Sequence, residues 1–433
     1  MSRAWVLVFC ILCFWLWSQR QTNRFPIGAS DGQPSAQRGE LDPPSSADPV
    51  DSSPSTSVGV QSRSLAEGFC GGRNPPHIIT PFKQLFLVST APLIPTQRRL
   101  LRAFRHGQLT DEDVEGLSED SEWARVFRAM LAERRGELSL ARSYLEDAER
   151  DAMTRGNRIR LAYFVGKIAE KQLDVTRAIE AYSVYVENQP EEVVVAQRVA
   201  RLKVHQEITS GYERVSEAGL TLVYPPESLS PDGAEELLAR VSEVLEEAAE
   251  LTGTELRPEL AMVVYPSRSE LLATTCVPMW TGGIYDGVVR MVQRKSPEHF
   301  DTILRHELFH AHIDHAVPHK IPAWLNEGLA QFFAGEKPQR DVMLERMLEH
   351  QTWVPFSSLG DQFHELDARA DARLAYRQSA LMIDWVVDEA GERAIAEGIE
   401  HLAHGGDHRD VLALMLGADT PTGSDFLEYL ERR

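Results

Sequence analysis

The spacing of apolar residues divides the chain into four segments of different character. Residues 1–18 contain a continuous apolar run, and residues 19–65 are rich in serine, proline, glycine and aspartate. Between residues 96 and 208 apolar positions recur with the period of a helix, which predicts an all-helical domain. From residue 211 to 433 strand patterns and helix patterns both occur. The pattern therefore predicts an α+β domain, with a small sheet and a helical half, preceded by an all-α domain.

Two stretches of the all-α segment share one pattern of small and bulky residues. Ala141 and Ala178 take matching places in it, 37 residues apart. A period in this range is typical of tetratricopeptide-like helical hairpins, in which small residues lie at the closest helix crossings. Two units are fewer than a stable array needs, so helices at about 97–130 and 191–207 are expected to cap them. A plain helical bundle remains the alternative. The matching positions are Gly136, Leu138, Ala141, Leu145 and Ala148, and then Leu173, Val175, Ala178, Tyr182 and Tyr185.

Short apolar runs in the second half predict the strands of a sheet. Leu220–Tyr224 and Leu260–Tyr265 have the length and composition of strands, and residues 233–252 between them have an amphipathic helix pattern. Residues 285–292 are predicted as a further strand, and residues 341–433 as helical. These strands would form the small sheet on which a helix can pack.

Composition and charge argue against a nucleic-acid partner. Of the 433 residues, 43% are hydrophobic and 25% are charged, which is ordinary for a globular protein long enough for two domains. The formal net charge is −20, and the sequence contains no basic patch of the size that nucleic acid requires. The four cysteines are too few for a disulfide framework, and whether Cys70 and Cys276 pair stays open.

The N-terminal apolar run predicts export. Residues 4–17 would form a helix of about 21 Å, short of the ~30 Å hydrocarbon core of a bilayer but suited to a secretory signal. No small-residue cleavage site follows directly, which favours an uncleaved signal anchor, with a cleaved signal peptide as the alternative. The protein is therefore expected to be membrane-anchored and to face the periplasm or the cell exterior, or to be secreted if the signal is cleaved. Residues 19–65 are expected to be a disordered linker.

Residues 306–310 read His-Glu-Leu-Phe-His and carry the candidate chemistry. His306 and His310 lie one helical turn apart on one face, so both imidazoles can reach one metal ion. Glu307 then lies beside the ion, where a free carboxylate can take a proton from a metal-bound water. An exposed helix face with charge pairs is the alternative, but the apolar neighbours Leu308 and Phe309 indicate a helix packed into a core.

A further carboxylate follows in an apolar helix pattern. Residues 324–330 read Trp-Leu-Asn-Glu-Gly-Leu-Ala, which places Glu327 seventeen positions after His310. An unpaired carboxylate is costly to bury among such residues, so a metal ligand is the simpler explanation. The pattern predicts one zinc ion per chain, held by His306, His310 and Glu327.

With these motifs the chain resembles the gluzincin metallopeptidases, and in particular their peptidase MA-like domain. The likeness covers about the last half of the chain by the order of its motifs. In that family both histidines of the HExxH motif and the downstream glutamate bind zinc, and the glutamate inside the motif is the general base. The resemblance therefore implies His306, His310 and Glu327 as zinc ligands and Glu307 as the catalytic base.

The resemblance extends to three features around the motifs. Residues 280–291 resemble the family's strand along the active-site cleft, which can pair with an extended peptide substrate; an ordinary hairpin is the alternative. Tyr376, at the predicted start of a further helix, is the candidate for stabilising the oxyanion of the tetrahedral intermediate, with a packing role as the alternative. The chain departs from the family at Gln331, where related enzymes carry an acid. An amide or a backbone carbonyl is therefore expected to orient a ligand histidine.

The sequence as a whole predicts an exported, membrane-anchored zinc metallopeptidase that hydrolyses peptide bonds. Its substrate would be a peptide or a protein, and the helical-repeat domain is a candidate surface for a protein partner. Two alternatives stay open: a non-catalytic helical-repeat binding or assembly protein with a relic zinc fold, and a zinc amidase acting on cell-wall peptide. The presence of Glu307 argues against the first, because a relic is free to lose its base.

Overall fold

A computed structural model describes most of the chain from residue 94 onward. The predicted signal segment 1–18 and the linker 19–65 lie outside the described residues. All described residues belong to one compact unit, Ser55–Arg433. No helix in the described part is long and apolar enough to cross a membrane. The described ranges are 94–105, 107–117, 122–150, 154–254, 258–276, 282–294, 296–319, 321–336, 369–419 and 421–432, with a few positions between 344 and 359.

The first described segment is helical. Its helices are α1 (Pro95–Arg105), α2 (Asp111–Glu115), α3 (Glu122–Arg134), α4 (Leu138–Arg150), α5 (Arg155–Lys171), α6 (Val175–Asn188) and α7 (Val193–Ile208). Asp174 caps α6 by accepting a hydrogen bond from the third residue along, as short polar residues do at helix starts. Gly166 on α5 lies so close to α6 that a Cβ there would be 2.7 Å from the ring of Tyr182. Ala141 and Ala178 are fully buried on α4 and α6. The tetratricopeptide-like repeat itself stays a prediction.

The second segment contains a small mixed sheet. Its strands are β1 (Glu213–Glu217), β2 (Leu220–Tyr224), β3 (Leu260–Tyr265), β4 (Gly283–Tyr285) and β5 (Val289–Val292). Their order across the sheet is β1-β2-β3-β5-β4, with β2, β3 and β5 parallel and the two outer strands antiparallel to their neighbours. The strands predicted at 220–224 and 260–265 are confirmed.

The prediction of a single strand over residues 285–292 is wrong. The chain turns through residues 286–288, where Gly287 has a φ of 95°, and β4 and β5 form an antiparallel hairpin. A left-handed backbone angle of this kind favours glycine and interrupts a strand. The strand β1 was not predicted because its residues are mostly polar and exposed.

Helices cover both faces of the sheet. The helices of this segment are α8 (Pro231–Thr252), α9 (Arg268–Thr275), α10 (Pro297–Ala316), α11 (Ala323–Phe333), α12 (Arg369–Ala390), α13 (Arg393–Ala403), α14 (Val411–Leu416) and α15 (Gly423–Arg432), and α8, α9 and α10 contact the strands. One face presents Leu222 and Met262 to a core shared with α8 and α10. The opposite face presents Val263 and Tyr265, which pack with Leu173 from the helical segment. Helices dominate the described structure around this small sheet, which is consistent with the predicted α+β class.

The predicted boundary between the two segments falls at a change of secondary structure. Helix α7 ends at Ile208, and β1 begins at Glu213. The helix predicted at 233–252 is confirmed as α8, which begins after the cap residue Ser230 and ends at Gly253 in a left-handed conformation. The assignment of residues 96–208 and 211–433 to separate domains stays a prediction.

Candidate metal centre and active site

Helices α10 and α11 carry the predicted metal ligands. Helix α10 begins after Ser296, whose hydroxyl accepts a hydrogen bond from the backbone of His299, and its apolar residues Leu304 and Leu308 are buried in the core. Helix α11 follows Pro322 and packs closely on α12. A Cβ at Gly328 would lie 2.5 Å from a backbone oxygen of α12, so only glycine permits this approach.

The structure brings together the three predicted ligands. The Nε2 atoms of His306 and His310 are 3.1 Å apart, and each lies 3.6 Å from Oε2 of Glu327. An ion bound at ~2.0–2.1 Å with tetrahedral angles would hold its ligand atoms about 3.3–3.4 Å apart, so the triangle has the size of a zinc site. Two imidazoles and one carboxylate are also the donor set of catalytic zinc with an open position. The residues therefore fit one zinc ion.

The charges of this cluster favour a cation. Burial lowers the pKa of His306, but the carboxylates of Glu327 and Glu336 outweigh burial and hold this pKa well above its ordinary value. Burial raises the pKa of Glu327, but the two imidazoles beside it outweigh this effect and hold the pKa well below its usual range. A cation, either a proton or a metal ion, is therefore stabilised between these groups. A bound metal ion displaces the proton, because a histidine that ligates a metal is neutral.

Two residues that the sequence analysis missed orient the histidines. The Nδ1 atom of His306 lies 3.1 Å from Oε1 of Glu336, and that of His310 lies 3.1 Å from Oδ1 of Asn326. Such contacts fix the ring orientation and direct Nε2 toward the ligand cluster. The amide of Gln331 instead donates to backbone carbonyls of α11 and α12. Asn326 could have been found from its place beside Glu327, whereas no local pattern marks Glu336.

Glu307 lies beside the cluster without joining it. It is 7% exposed, and burial raises its pKa above the ordinary value, against the lowering effect of His306 and His310. The backbone N–H of Tyr285 also lowers this pKa, because a nearby donor favours the charged carboxylate. A Cβ at Gly283 would lie 2.8 Å from Cγ of Glu307, so glycine at this position leaves the room that the carboxylate occupies. The carboxylate thus lies directly against the hairpin.

Strand β4 lies at the edge of the sheet and contacts α10. Its residues Gly283–Tyr285 fall within the segment that was predicted to run along the active-site cleft, and the part of that segment before residue 282 lies outside the described residues. An edge strand presents backbone groups on one side that a peptide can pair with. The described part of the segment therefore forms a hairpin, and its first strand, β4, lies beside the candidate base Glu307.

Tyr376 lies near the cluster, but its position on the helix differs from the prediction. Helix α12 begins at Arg369, so Tyr376 is in the interior of the helix and not at its start. The side chain is 40% exposed. The charge of Glu327, then partial burial and the charge of Glu307, raise the pKa of Tyr376 well above its ordinary value. The phenol therefore stays protonated and can donate a hydrogen bond next to both carboxylates.

The later histidines of α10 have structural partners away from the cluster. Nε2 of His312 lies 2.8 Å from the hydroxyl of Thr252, and Nδ1 of His315 lies 3.0 Å from the backbone oxygen of Arg134. Burial lowers the pKa of His312 to about 4, so its imidazole is neutral. Relative to His306, the helix rotates His312 by about 240° and His315 by about 180°, so both side chains lie away from the ligand face.

Comparison with known protein families gives a match in the second half of the chain. Residues 241–426 match the sequence profile of the Peptidase MA superfamily. This match supports a peptidase MA, gluzincin-like domain, and zinc dependence is typical of that superfamily. No curated protein matches the chain. The matched range contains His306, Glu307, His310, Glu327 and Tyr376.

Proposed function

We propose that the protein is a zinc metallopeptidase that hydrolyses peptide bonds, with one zinc ion held by His306, His310 and Glu327. The observation that carries the proposal is the triangle of three ligand atoms, 3.1 to 3.6 Å apart, with the separate carboxylate of Glu307 beside it. A metal site that leaves one buried carboxylate unused for binding has the parts that hydrolysis requires. The match to the Peptidase MA superfamily supports this reading.

Glu307 is proposed as the general base and then the general acid. When bound, the zinc ion supplies a polarised water and a positive charge for the developing oxyanion. Burial raises the pKa of Glu307, which suits a group that must accept a proton and return it to the leaving amine. Strand β4 lies against the carboxylate at Gly283 and limits the orientations open to it.

Two groups are proposed to position the substrate and its transition state. The edge strand β4 would pair with an extended peptide through the backbone, which places the scissile bond along the cleft. Tyr376 would donate a hydrogen bond to the oxyanion, a charge that exists only in the transition state. The proximity of its phenol to Glu327 and Glu307 supports this role.

Export and anchoring are proposed from the N-terminal segment. Residues 1–18 would anchor the protein, residues 19–65 would tether it, and the peptidase would face the periplasm or the cell exterior. Cys276, the cysteine among the described residues, is disulfide-bonded, and disulfides are typical of oxidising compartments. Residues 96–208 would offer a surface for a protein partner.

The test is a peptide-library cleavage assay of the full-length protein with and without a chelator, with cell-wall peptides included in the library. We expect cleavage that the chelator abolishes and added zinc restores, and one zinc per chain by metal analysis. His310→Ala should lose both zinc and cleavage. The matched control is His299→Ala, an exposed histidine on the same helix, which should retain both.

Three outcomes would contradict the proposal. Stoichiometric zinc in His310→Ala would remove the ligand assignment. Cleavage confined to amide bonds of cell-wall peptides would identify the protein as an amidase. Zinc binding without cleavage of any library member would favour a non-catalytic binding or assembly protein.

A further inference from the structure

The helical segment packs against the far end of the metal-binding helix. The backbone oxygen of Arg134, at the end of α3, meets the His315 imidazole on α10. A Cβ on Gly136 would lie 2.4 Å from Pro258, which shows how closely the helical segment approaches the loop before β3. The backbone N–H of Glu259 donates to the Gly136 oxygen at 2.8 Å. The helical segment is therefore in direct contact with the elements that build the candidate site.

Lys171, the last residue of α5, lies at the centre of this contact. Its ammonium is 2.5 Å from Oε1 of Glu133 and 3.9 Å from Oδ2 of Asp314, and its side chain is 12% exposed. Its aliphatic chain lies on the turn of the β4–β5 hairpin, where a Cβ on Gly287 would be 3.1 Å from Cε of the lysine. One side chain thus joins α3, the hairpin turn and α10.

Contacts continue from Lys171 to the candidate base. The phenol of Tyr285 on β4 donates to Oδ2 of Asp314 at 2.9 Å. The same strand lies directly against Glu307, because a Cβ on Gly283 would be 3.0 Å from its Oε1. Strand β4 therefore connects the carboxylate that faces Lys171 with the carboxylate that would move the proton.

Lys171 is charged in this setting. Burial lowers its pKa, but the carboxylates of Glu133 and Asp314 outweigh burial and hold the pKa of Lys171 above its ordinary value. A buried charge that keeps its partners is held in a defined place, because moving it away from them is costly.

We propose that Lys171 is a positioning residue: it fixes the β4–β5 hairpin against α10 and, through strand β4, holds Glu307 in its working orientation. The catalytic consequence of this proposal rests on the proposed function, whereas its structural part rests on the contacts alone. It assigns the helical segment a role within the active site in addition to any role in binding partners.

The chain offers a matched control for Lys171. Lys167, one turn earlier on α5, also pairs with Glu133, with its ammonium 2.9 Å from Oε1. Lys171→Met leaves Glu133 paired with Lys167 but removes the charge beside the hairpin, and Lys167→Met leaves Glu133 paired with Lys171 and the hairpin supported. Either substitution therefore avoids an unpaired buried carboxylate, which would be the main risk to folding.

Hydrogen–deuterium exchange of the metal-free, full-length protein tests the structural part. In Tyr285→Phe, amides of residues 282–292 should exchange at least about tenfold faster, the factor expected when one hydrogen bond to a charged group is lost. Lys171→Met should accelerate the same amides at least about threefold, because it removes the packing on Gly287 and the ion pair with Asp314. Lys167→Met should stay within about twofold of the wild type in this segment, because it leaves the ammonium of Lys171 in place. Unchanged exchange in Lys171→Met, or equal acceleration in Lys167→Met, would overturn the proposal.

The catalytic part is tested by steady-state kinetics with an internally quenched peptide that the wild-type protein cleaves. In Lys171→Met we expect a fall in kcat/KM of about 10- to 100-fold, with a raised KM and unchanged zinc content, because the base and the pairing strand both shift. A loss of folded protein would lower the apparent kcat and leave KM unchanged, and that result would overturn the positioning role. If the wild-type protein cleaves no peptide, the proposed function fails, while the exchange measurement still decides what Lys171 holds.

Discussion

Replacing Gly283 by alanine should separate catalysis from metal binding. The added Cβ would lie 2.8 Å from Cγ of Glu307 and 2.8 Å from Cγ2 of Ile303. Carbon atoms in favourable contact are about 3.5–4.0 Å apart, so Glu307 or the hairpin must move by about 0.7 to 1.2 Å. The backbone angles of Gly283 are not in the left-handed region, so the strain comes from this overlap.

A shift of this size is large for a general base and small for the fold. A misplacement of about 1 Å can cost about 100-fold in rate, so we expect kcat of Gly283→Ala to fall between about 10- and 100-fold. The zinc content should stay at one per chain, because none of the atoms that meet the new Cβ belongs to His306, His310 or Glu327.

The assay combines metal analysis, thermal unfolding and steady-state cleavage of a quenched peptide. Gly282→Ala is the matched control: its Cβ would be equally crowded, but against Cδ1 of Ile303 and the guanidinium of Arg294. Because both are far ends of flexible side chains, they can move without displacing Glu307, and activity should stay within a fewfold of the wild type. Wild-type turnover in Gly283→Ala would refute the reasoning, as would zinc loss in parallel with activity.

Three further predictions concern single side chains. Glu307→Gln should retain zinc and fold but lose at least about 100-fold in turnover, since only the proton acceptor is removed; steady-state activity within a fewfold of wild type would place the base elsewhere. Tyr376→Phe should raise the barrier by about 2.7 to 4 kcal/mol with little change in KM, and an unchanged turnover number would reduce the tyrosine to a packing residue. Burial, followed by the charge of Arg290, lowers the pKa of His205 to about 3, so below pH ~6.5 the unfolded chain takes up a proton there that the folded chain does not. The free energy of unfolding should therefore fall by up to about 1.4 kcal/mol per pH unit between pH ~6.5 and ~3, and urea titrations of His205→Gln should show a smaller slope than the wild type; equal slopes would contradict this.

Local spacing was enough to predict the ligand cluster. His306 and His310 share a helix face because the backbone repeats every 3.6 residues, wherever the helix lies in the fold. Glu327 could be identified because a carboxylate among large apolar residues needs a partner, and the HExxH motif supplied a candidate partner. The strands at 220–224 and 260–265 could be predicted from short apolar runs, because the residues of a buried strand are mostly apolar.

Other local signals were present but were interpreted wrongly. The stretch before Tyr376 is rich in alanine and arginine, which favour helix, and no capping residue marks a start at Tyr376. The helix accordingly begins earlier, at Arg369. Gly287 likewise signalled a turn inside the segment that was predicted as one strand.

Only the tertiary structure could decide which distant residues support the site. Glu336 meets His306 from beyond the end of α11, Gly283 leaves room for Glu307 across the cleft, and Lys171 reaches Asp314 from the helical segment. Residue type and spacing indicate whether a side chain is buried and on which face of its own helix or strand it lies. They do not record the partner, because a contact between elements far apart in sequence depends on how all the intervening elements pack.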